Sequence, residues 1–180
     1  MRYQVTSYLA RYVAGGARVG ALLYRASGGD RPMRCCIHRG SQQIGGSCVE
    51  LAHGGQRLVL DLGLPLTANP AEDIPLPDIP GLADQGPDLL GVLVSRRHPD
   101  HYGLATRREP AVPLYCGERT AAILREAALF SPLGPDLQPA GFLRDQVPFR
   151  LGPFSVTPYL ADHSAFDASS PIRPTTSTSR

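Results

Sequence analysis

The 180-residue chain contains no lysine, and all 18 of its basic residues are arginine. With 19 glycines and 18 prolines, this reads as the imprint of a GC-rich coding sequence more than of any particular ligand. A charge excess is also missing. Sixteen acidic residues leave a formal net charge of +2, which excludes an extended basic surface that would hold nucleic acid by phosphate neutralisation alone. No stretch reaches the roughly 18 apolar residues a membrane-spanning helix requires, so an integral helical membrane protein is excluded. Aromatic residues make up only 7%, too few to suggest a base-stacking platform. The four cysteines, Cys35, Cys36, Cys48 and Cys116, form neither a C-x-x-C pair nor a zinc-ribbon spacing, and no convincing export signal precedes them. They read as reduced thiols packed as small apolar side chains, and a cytoplasmic location is the expectation.

What is present divides into three segments. Residues 1–32 carry Arg2, Arg11, Arg18, Arg25 and Arg31 against the single acid Asp30, with Gly15, Gly16 and Gly20 opposing helix. The expectation there is a disordered or spurious N-terminal extension, with the ordered domain over residues 33–168. Residues 169–180, almost wholly Ser, Thr, Pro and Arg, have nothing to bury and are expected to be disordered.

Within 33–168, strand-like runs cover Arg34 to His38, Ser47 to Ala52 and Arg57 to Asp61, the last two joined through Gly54-Gly55, a hairpin signal. Pro65, Pro70, Pro75, Pro77 and Pro80 then predict a long extended surface loop. Leu89 to Val94 is a continuous apolar run, the pattern of a strand buried on both faces. Val112 to Tyr115 reads as a further strand. Glu118 to Phe130 reads as a helix with Ile123, Ala127 and Phe130 on its apolar face. Val147 to Arg150 and Phe154 to Tyr159 form a predicted hairpin around Gly152 and Pro153.

Two polar clusters follow apolar strands. In Ser95-Arg96-Arg97-His98-Pro99-Asp100-His101, two imidazoles and a carboxylate lie within four residues, and Asp162-His163-Ser164 follows the second hairpin. Neutral imidazole and carboxylate are the usual ligands of zinc at about 2.0–2.2 Å. Taken alone, His-x-Asp-His is equally a set of loop histidines hydrogen-bonded to Asp100.

Four ordered segments together carry a resemblance: Gly40 to Val49 (GSQQIGGSCV), Asp61 to Leu66 (DLGLPL), His98 to Leu104 (HPDHYGL) and Asp162 to Ala168 (DHSAFDA). The chain resembles the metallo-β-lactamase superfamily, and within it the ribonuclease J-like and cleavage-factor-like metallohydrolases. The resemblance implies an α/β (α+β) fold, the αββα sandwich, with one or two zinc ions at the sheet edge. It implies hydrolysis of a phosphodiester, RNA among the candidate substrates, by a zinc-bound hydroxide. By motif position His98 and His163 would bind the first metal and Asp100 and His101 the second. Asp100 would also serve as the catalytic carboxylate, orienting or deprotonating the attacking water, and Asp61 would hold the site loop through hydrogen bonds.

Two departures oppose full activity. The first histidine of the superfamily's His-x-His-x-Asp-His signature is Arg96 here, and a guanidinium keeps its proton and offers a metal no lone pair. The relatives also continue beyond Asp162-His163-Ser164 into a second half that supplies a bridging aspartate and another histidine, for which nothing after Ala168 substitutes. The expectation is therefore a sandwich truncated to its first half, with impaired hydrolysis; the alternative is a non-catalytic or incomplete relative. Oligomeric state is not legible.

Overall fold

The computed structural model describes residues 22–24, 33–69, 72–84, 86–130, 137–160 and 169–170. In chain order these form β1 (Leu22–Tyr24), β2 (Met33–Arg39), β3 (Cys48–His53), β4 (Gln56–Leu60), β5 (Leu89–Leu93), the short helix α1 (Pro99–Tyr102), a 3₁₀ turn (Ala105–Arg107), β6 (Leu114–Gly117), α2 (Glu118–Ala127), β7 (Gly141–Leu143), β8 (Phe149–Leu151), β9 (Phe154–Val156), β10 (Tyr159–Leu160) and β11 (Ser169–Ser170).

Strands β1 to β7 lie side by side in chain order in one sheet. The pairs from β1 to β4 are antiparallel and those from β4 to β7 parallel. Connection length explains the change, because an antiparallel neighbour needs only a tight turn whereas a parallel one needs a crossover. Between β3 and β4 the two-residue turn Gly54-Gly55 has φ of 59° and 85°, the doubly left-handed backbone that glycine adopts without steric cost. From β5 onward, α1 and α2 supply the crossovers.

Leu58 and Val59 are adjacent on β4, point to opposite faces, and are both fully buried. Both sides of the sheet are therefore covered. On one face Val59, Val92 and Leu114 form a row through three strands, under Leu62, Leu104 and the α2 residues Ala121 and Leu124. On the other, Leu51, Leu58, Leu60 and Leu93 meet Phe154 and Val156 of the β8–β9 hairpin. Each such leucine contributes about 1.5–3 kcal/mol by leaving water.

Several expectations are corrected here. The Pro-rich connection is more than a surface loop: it buries Ile79 and Leu82 and packs Ile74 and Leu76 against the helical face. Prolines preclude a ladder but leave the intervening apolar side chains free to turn inward. Backbone anchors hold it, Arg39 Nη2 donating to the Pro75 carbonyl (2.7 Å) and Arg107 Nη1 to that of Ile74 (2.7 Å). Helix α2 stops at Ala127, buries Thr120, Ala121 and Leu124, and leaves Phe130 89% exposed. It follows β6 without a spacer, so the strand sets its rotation and turns the small Thr120 and Ala121 toward the sheet. The sheet also reaches one strand further toward the N-terminus than expected, since Leu22–Tyr24 pairs with Met33–Cys35. Ser169–Ser170 pairs with Tyr159–Leu160. The remainder of residues 1–32 and 171–180 lies outside the described residues, as does the Asp162-His163-Ser164 cluster.

Candidate functional site

Strands β4 and β5 run parallel and end together, Leu60 beside Leu93, so the residues just past them are neighbours. Asp61 leaves β4 with φ of 59°, a left-handed conformation that a short acidic side chain tolerates better than a branched one. Its backbone N–H donates to the Leu93 carbonyl (2.9 Å), continuing the strand register by one bond. That turn aims the carboxylate at the segment after β5.

The Asp61 carboxylate accepts three hydrogen bonds there. The Ser95 backbone N–H donates to Oδ1 (2.7 Å), the Ser95 hydroxyl to Oδ2 (2.9 Å), and His101 Nδ1–H to Oδ2 (2.6 Å). On the far side of the imidazole, Nε2 lies 3.2 Å from Asp100 Oδ2 and accepts a hydrogen bond from Arg96 Nη2. A guanidinium can only donate. Asp61, which accepts at Nδ1, and Arg96, which donates to Nε2, select the His101 tautomer with the proton on Nδ1 and the lone pair on Nε2; Asp100, able only to accept, makes no hydrogen bond to that tautomer.

Three of the four segments that carry the family resemblance build this arrangement through main-chain bonds. Leu62 N–H donates to the His101 carbonyl (2.8 Å), Leu64 N–H to that of Pro99 (2.9 Å), Ser47 N–H to that of Asp100 (3.0 Å), and Gly63 N–H to that of Ser47 (3.0 Å). Gly63 is required sterically, because a Cβ there would lie 1.8 Å from the Asp100 carbonyl oxygen. Gly45 has a similar role, a Cβ falling 2.9 Å from Asp100 Cβ in a backbone with φ of 78°. The glycines therefore let three chain segments close around the Asp100–His101 peptide.

Of the residues expected at the site, Asp61, Asp100 and His101 come together. His98 precedes α1 on the same turn, half-buried, its carbonyl accepting from the N–H groups of His101 (2.8 Å) and Tyr102 (3.3 Å). His163 lies outside the described residues. Ser95, which sequence reasoning did not single out, ties Asp61 to His101; its only signal is its place directly after a buried strand.

The family's metal can be tested against this arrangement. Both nitrogens of His101 are engaged, Nδ1 by Asp61 and Nε2 by Arg96. The guanidinium thus lies on the imidazole lone pair that a metal would need, with the Asp100 carboxylate beside it. Among the described residues, no three side chains of the motif bring ligand atoms together. As arranged, these residues do not fit a metal ion. Where three donor atoms do meet among the described residues is on β2 and β3: Cys36, His38 and Glu50 hold theirs within 4.8 Å of one another.

The beta-lactamase superfamily domain profile matches residues 56–178, more than half of the chain, and the chain belongs to this family. The described part has the α/β architecture of the metallo-β-lactamase sandwich. Ribonuclease J of Sinorhizobium meliloti is 31% identical over 113 residues, 61% of this chain and 20% of that protein. A protein of unknown function from Enterococcus faecalis V583 superimposes with a TM-score of 0.63 at 23% identity, over 77% of this chain and 40% of its own. The metallo-β-lactamase GOB-18 of Elizabethkingia meningoseptica follows at 0.55 and 15%, over 81% and 55%. The chain therefore spans about a fifth of the ribonuclease J relative and about half of these solved structures. Among the described residues, no helix is long and apolar enough to cross a membrane.

Proposed function

We propose that this chain is a ribonuclease J-like member of the metallo-β-lactamase superfamily that binds a phosphodiester, RNA being the substrate class, without hydrolysing it at the Asp100–His101 motif. The observation that carries the proposal is the hydrogen bond from Arg96 to His101 Nε2. An arginine at this position does more than fail to ligate: it brings a permanent positive charge to the place where the family puts a cation, against the imidazole nitrogen that also lies 3.2 Å from the Asp100 carboxylate. Among the described residues of the motif, hydrolysis by zinc-bound hydroxide has no three-ligand set to depend on.

An anionic ligand is supported by the same arginines. Arg96 and Arg97, adjacent in sequence, bring two guanidinium groups to the segment just before the motif, and both residues are only partly buried. Guanidinium groups match phosphate oxygens in geometry and charge. The identity with ribonuclease J favours RNA over a small ester. The free thiols Cys35, Cys36, Cys48 and Cys116 accord with a reducing, cytoplasmic setting.

The test is a pair of measurements on the same protein. A labelled single-stranded RNA should bind with an affinity that falls as salt rises, and Arg96→Ala with Arg97→Ala should weaken binding roughly tenfold. The wild-type chain should leave that RNA intact under excess zinc or manganese. Metal-dependent cleavage by the wild type, or RNA binding indifferent to loss of both arginines, overturns the proposal.

A further inference from the structure

On the helical face of the sheet, the β2–β3 pair brings together a thiol, an imidazole and a carboxylate. Cys36 and Glu50 are direct cross-strand partners, so their side chains leave the same face side by side. The register then slips: Ile37 pairs with Val49 and Arg39 with Cys48, leaving His38 as the extra residue of a β-bulge. Bulges bend a strand and re-aim the unpaired side chain, and here His38 reaches Glu50, its Nε2 lying 2.8 Å from Oε2.

We propose that Cys36, His38 and Glu50 form a binding site for one zinc-like divalent cation, with its fourth coordination position left to water.

The chemistry of the donors supports zinc. Thiolate, imidazole and carboxylate are its three protein ligand types, and three ligands plus a water make the usual open tetrahedral set. A tetrahedral ion with bonds of about 2.0–2.3 Å holds its ligand atoms roughly 3.3–3.7 Å apart. The three donors already lie within 4.8 Å of one another, so adjustments on the order of 1 Å, within reach of side-chain rotation, would close the site. All three residues are half-buried, enough to limit competing water and still leave a path for the ion. Glu50 has an oxygen for each task, Oε1 lying 3.7 Å from Arg57 Nε and Oε2 facing the cluster. Cys35 cannot join, because its side chain points to the opposite face, into the core under the β8–β9 hairpin.

Charge balance favours a dication. Binding would release the Cys36 thiol proton to solvent and move the His38 ring proton from Nε2 to Nδ1, so thiolate and carboxylate together neutralise the two positive charges. Burial and the Glu50 carboxylate push the Cys36 thiol up, an unfavourable setting for a thiolate alone that a bound cation relieves. The site would clamp β2 to β3 at the bulge, where the ladder is weakest.

Cobalt titration of the metal-stripped full chain tests the proposal. One equivalent should produce a thiolate-to-cobalt charge-transfer band and tetrahedral ligand-field absorption, both abolished by competing zinc. Cys36→Ser should remove the charge-transfer band, and His38→Ala or Glu50→Gln should weaken cobalt binding at least tenfold. His101→Ala should leave the band intact. A second measurement needs no variant: zinc should protect Cys36 of the wild-type chain from alkylation, read by peptide mass spectrometry. Absence of the band at stoichiometric cobalt, a band that survives Cys36→Ser, or unchanged alkylation of Cys36 under zinc overturns the site.

Discussion

Asp61 and His101, 40 residues apart in sequence, share a 2.6 Å hydrogen bond from imidazole Nδ1–H to carboxylate Oδ2, and this bond joins the ends of two parallel strands. The carboxylate also holds Ser95 by both its main chain and its hydroxyl. Replacing it tests how much of the site is held by charge. Asn at position 61 tolerates the left-handed backbone as well as Asp, so Asp61→Asn isolates the carboxylate. It offers one acceptor oxygen to three donors and should lower the unfolding free energy by about 2–3 kcal/mol in urea titrations. Asp61→Ala should cost more, since it adds backbone strain.

Arg96→His removes the guanidinium from His101 Nε2 and supplies a neutral imidazole in its place. In a Cys36→Ser background, which silences the cluster on β2 and β3, this variant should bind zinc at least tenfold more tightly than its Arg96 parent by isothermal titration. Equal affinity would mean that Arg96 is not what keeps metal from the motif.

Gly63→Ala places a methyl carbon 1.8 Å from the Asp100 carbonyl oxygen and 2.3 Å from its carbon, both main-chain atoms that other hydrogen bonds hold in place. Relief requires the 61–66 and 98–104 segments to separate. The expected cost exceeds about 3 kcal/mol, at the severe end for overpacking. Gly55→Asn provides the contrast: its position has φ of 85° and nothing within 4 Å, so thermal unfolding should shift little.

The core thiols make stability depend on alkaline pH. Burial, reinforced by the nearby Asp61 carboxylate, pushes the Cys48 thiol up from 9.0 to about 12, and burial pushes Cys35 up to about 11. The unfolded chain loses these protons first as pH rises, so it binds fewer protons than the native state and stability falls. Their contribution is complete below pH 9 and lost progressively between about pH 9 and 12. The melting temperature should decline over that window, and Cys48→Ala should flatten the decline. Iodoacetamide at pH 8 should modify neither residue without unfolding.

Much of the framework was legible because its signals are local. The continuous apolar run at Leu89 to Val94 gives β5, buried but for the half-buried Leu90, and Gly54-Gly55 gives the β3–β4 turn. The rotation of α2 was not, since Ile123, Ala127 and Phe130 satisfy helical periodicity as well as Thr120, Ala121 and Leu124 do. Which stripe faces inward depends on how β6 delivers the chain to the helix. The Pro-rich loop was misjudged for a related reason: its prolines exclude regular structure, but only the exposed apolar face of the sheet decides that Ile79 and Leu82 pack inward.

By itself, the sequence determined the order of the motifs, the family they indicate, and that position 96 holds a residue unable to ligate a metal. Side-chain chemistry alone settles that last point. Tertiary structure decided where the guanidinium goes, because the paired ends of β4 and β5 and the close approach at Gly63 bring Asp61, Ser95, Arg96 and His101 into one cluster. It likewise decided that Cys36, read from sequence as a small core residue, stands beside His38 and Glu50. Cross-strand register and the bulge at His38 are properties of two strands at once, and no single strand's sequence carries them.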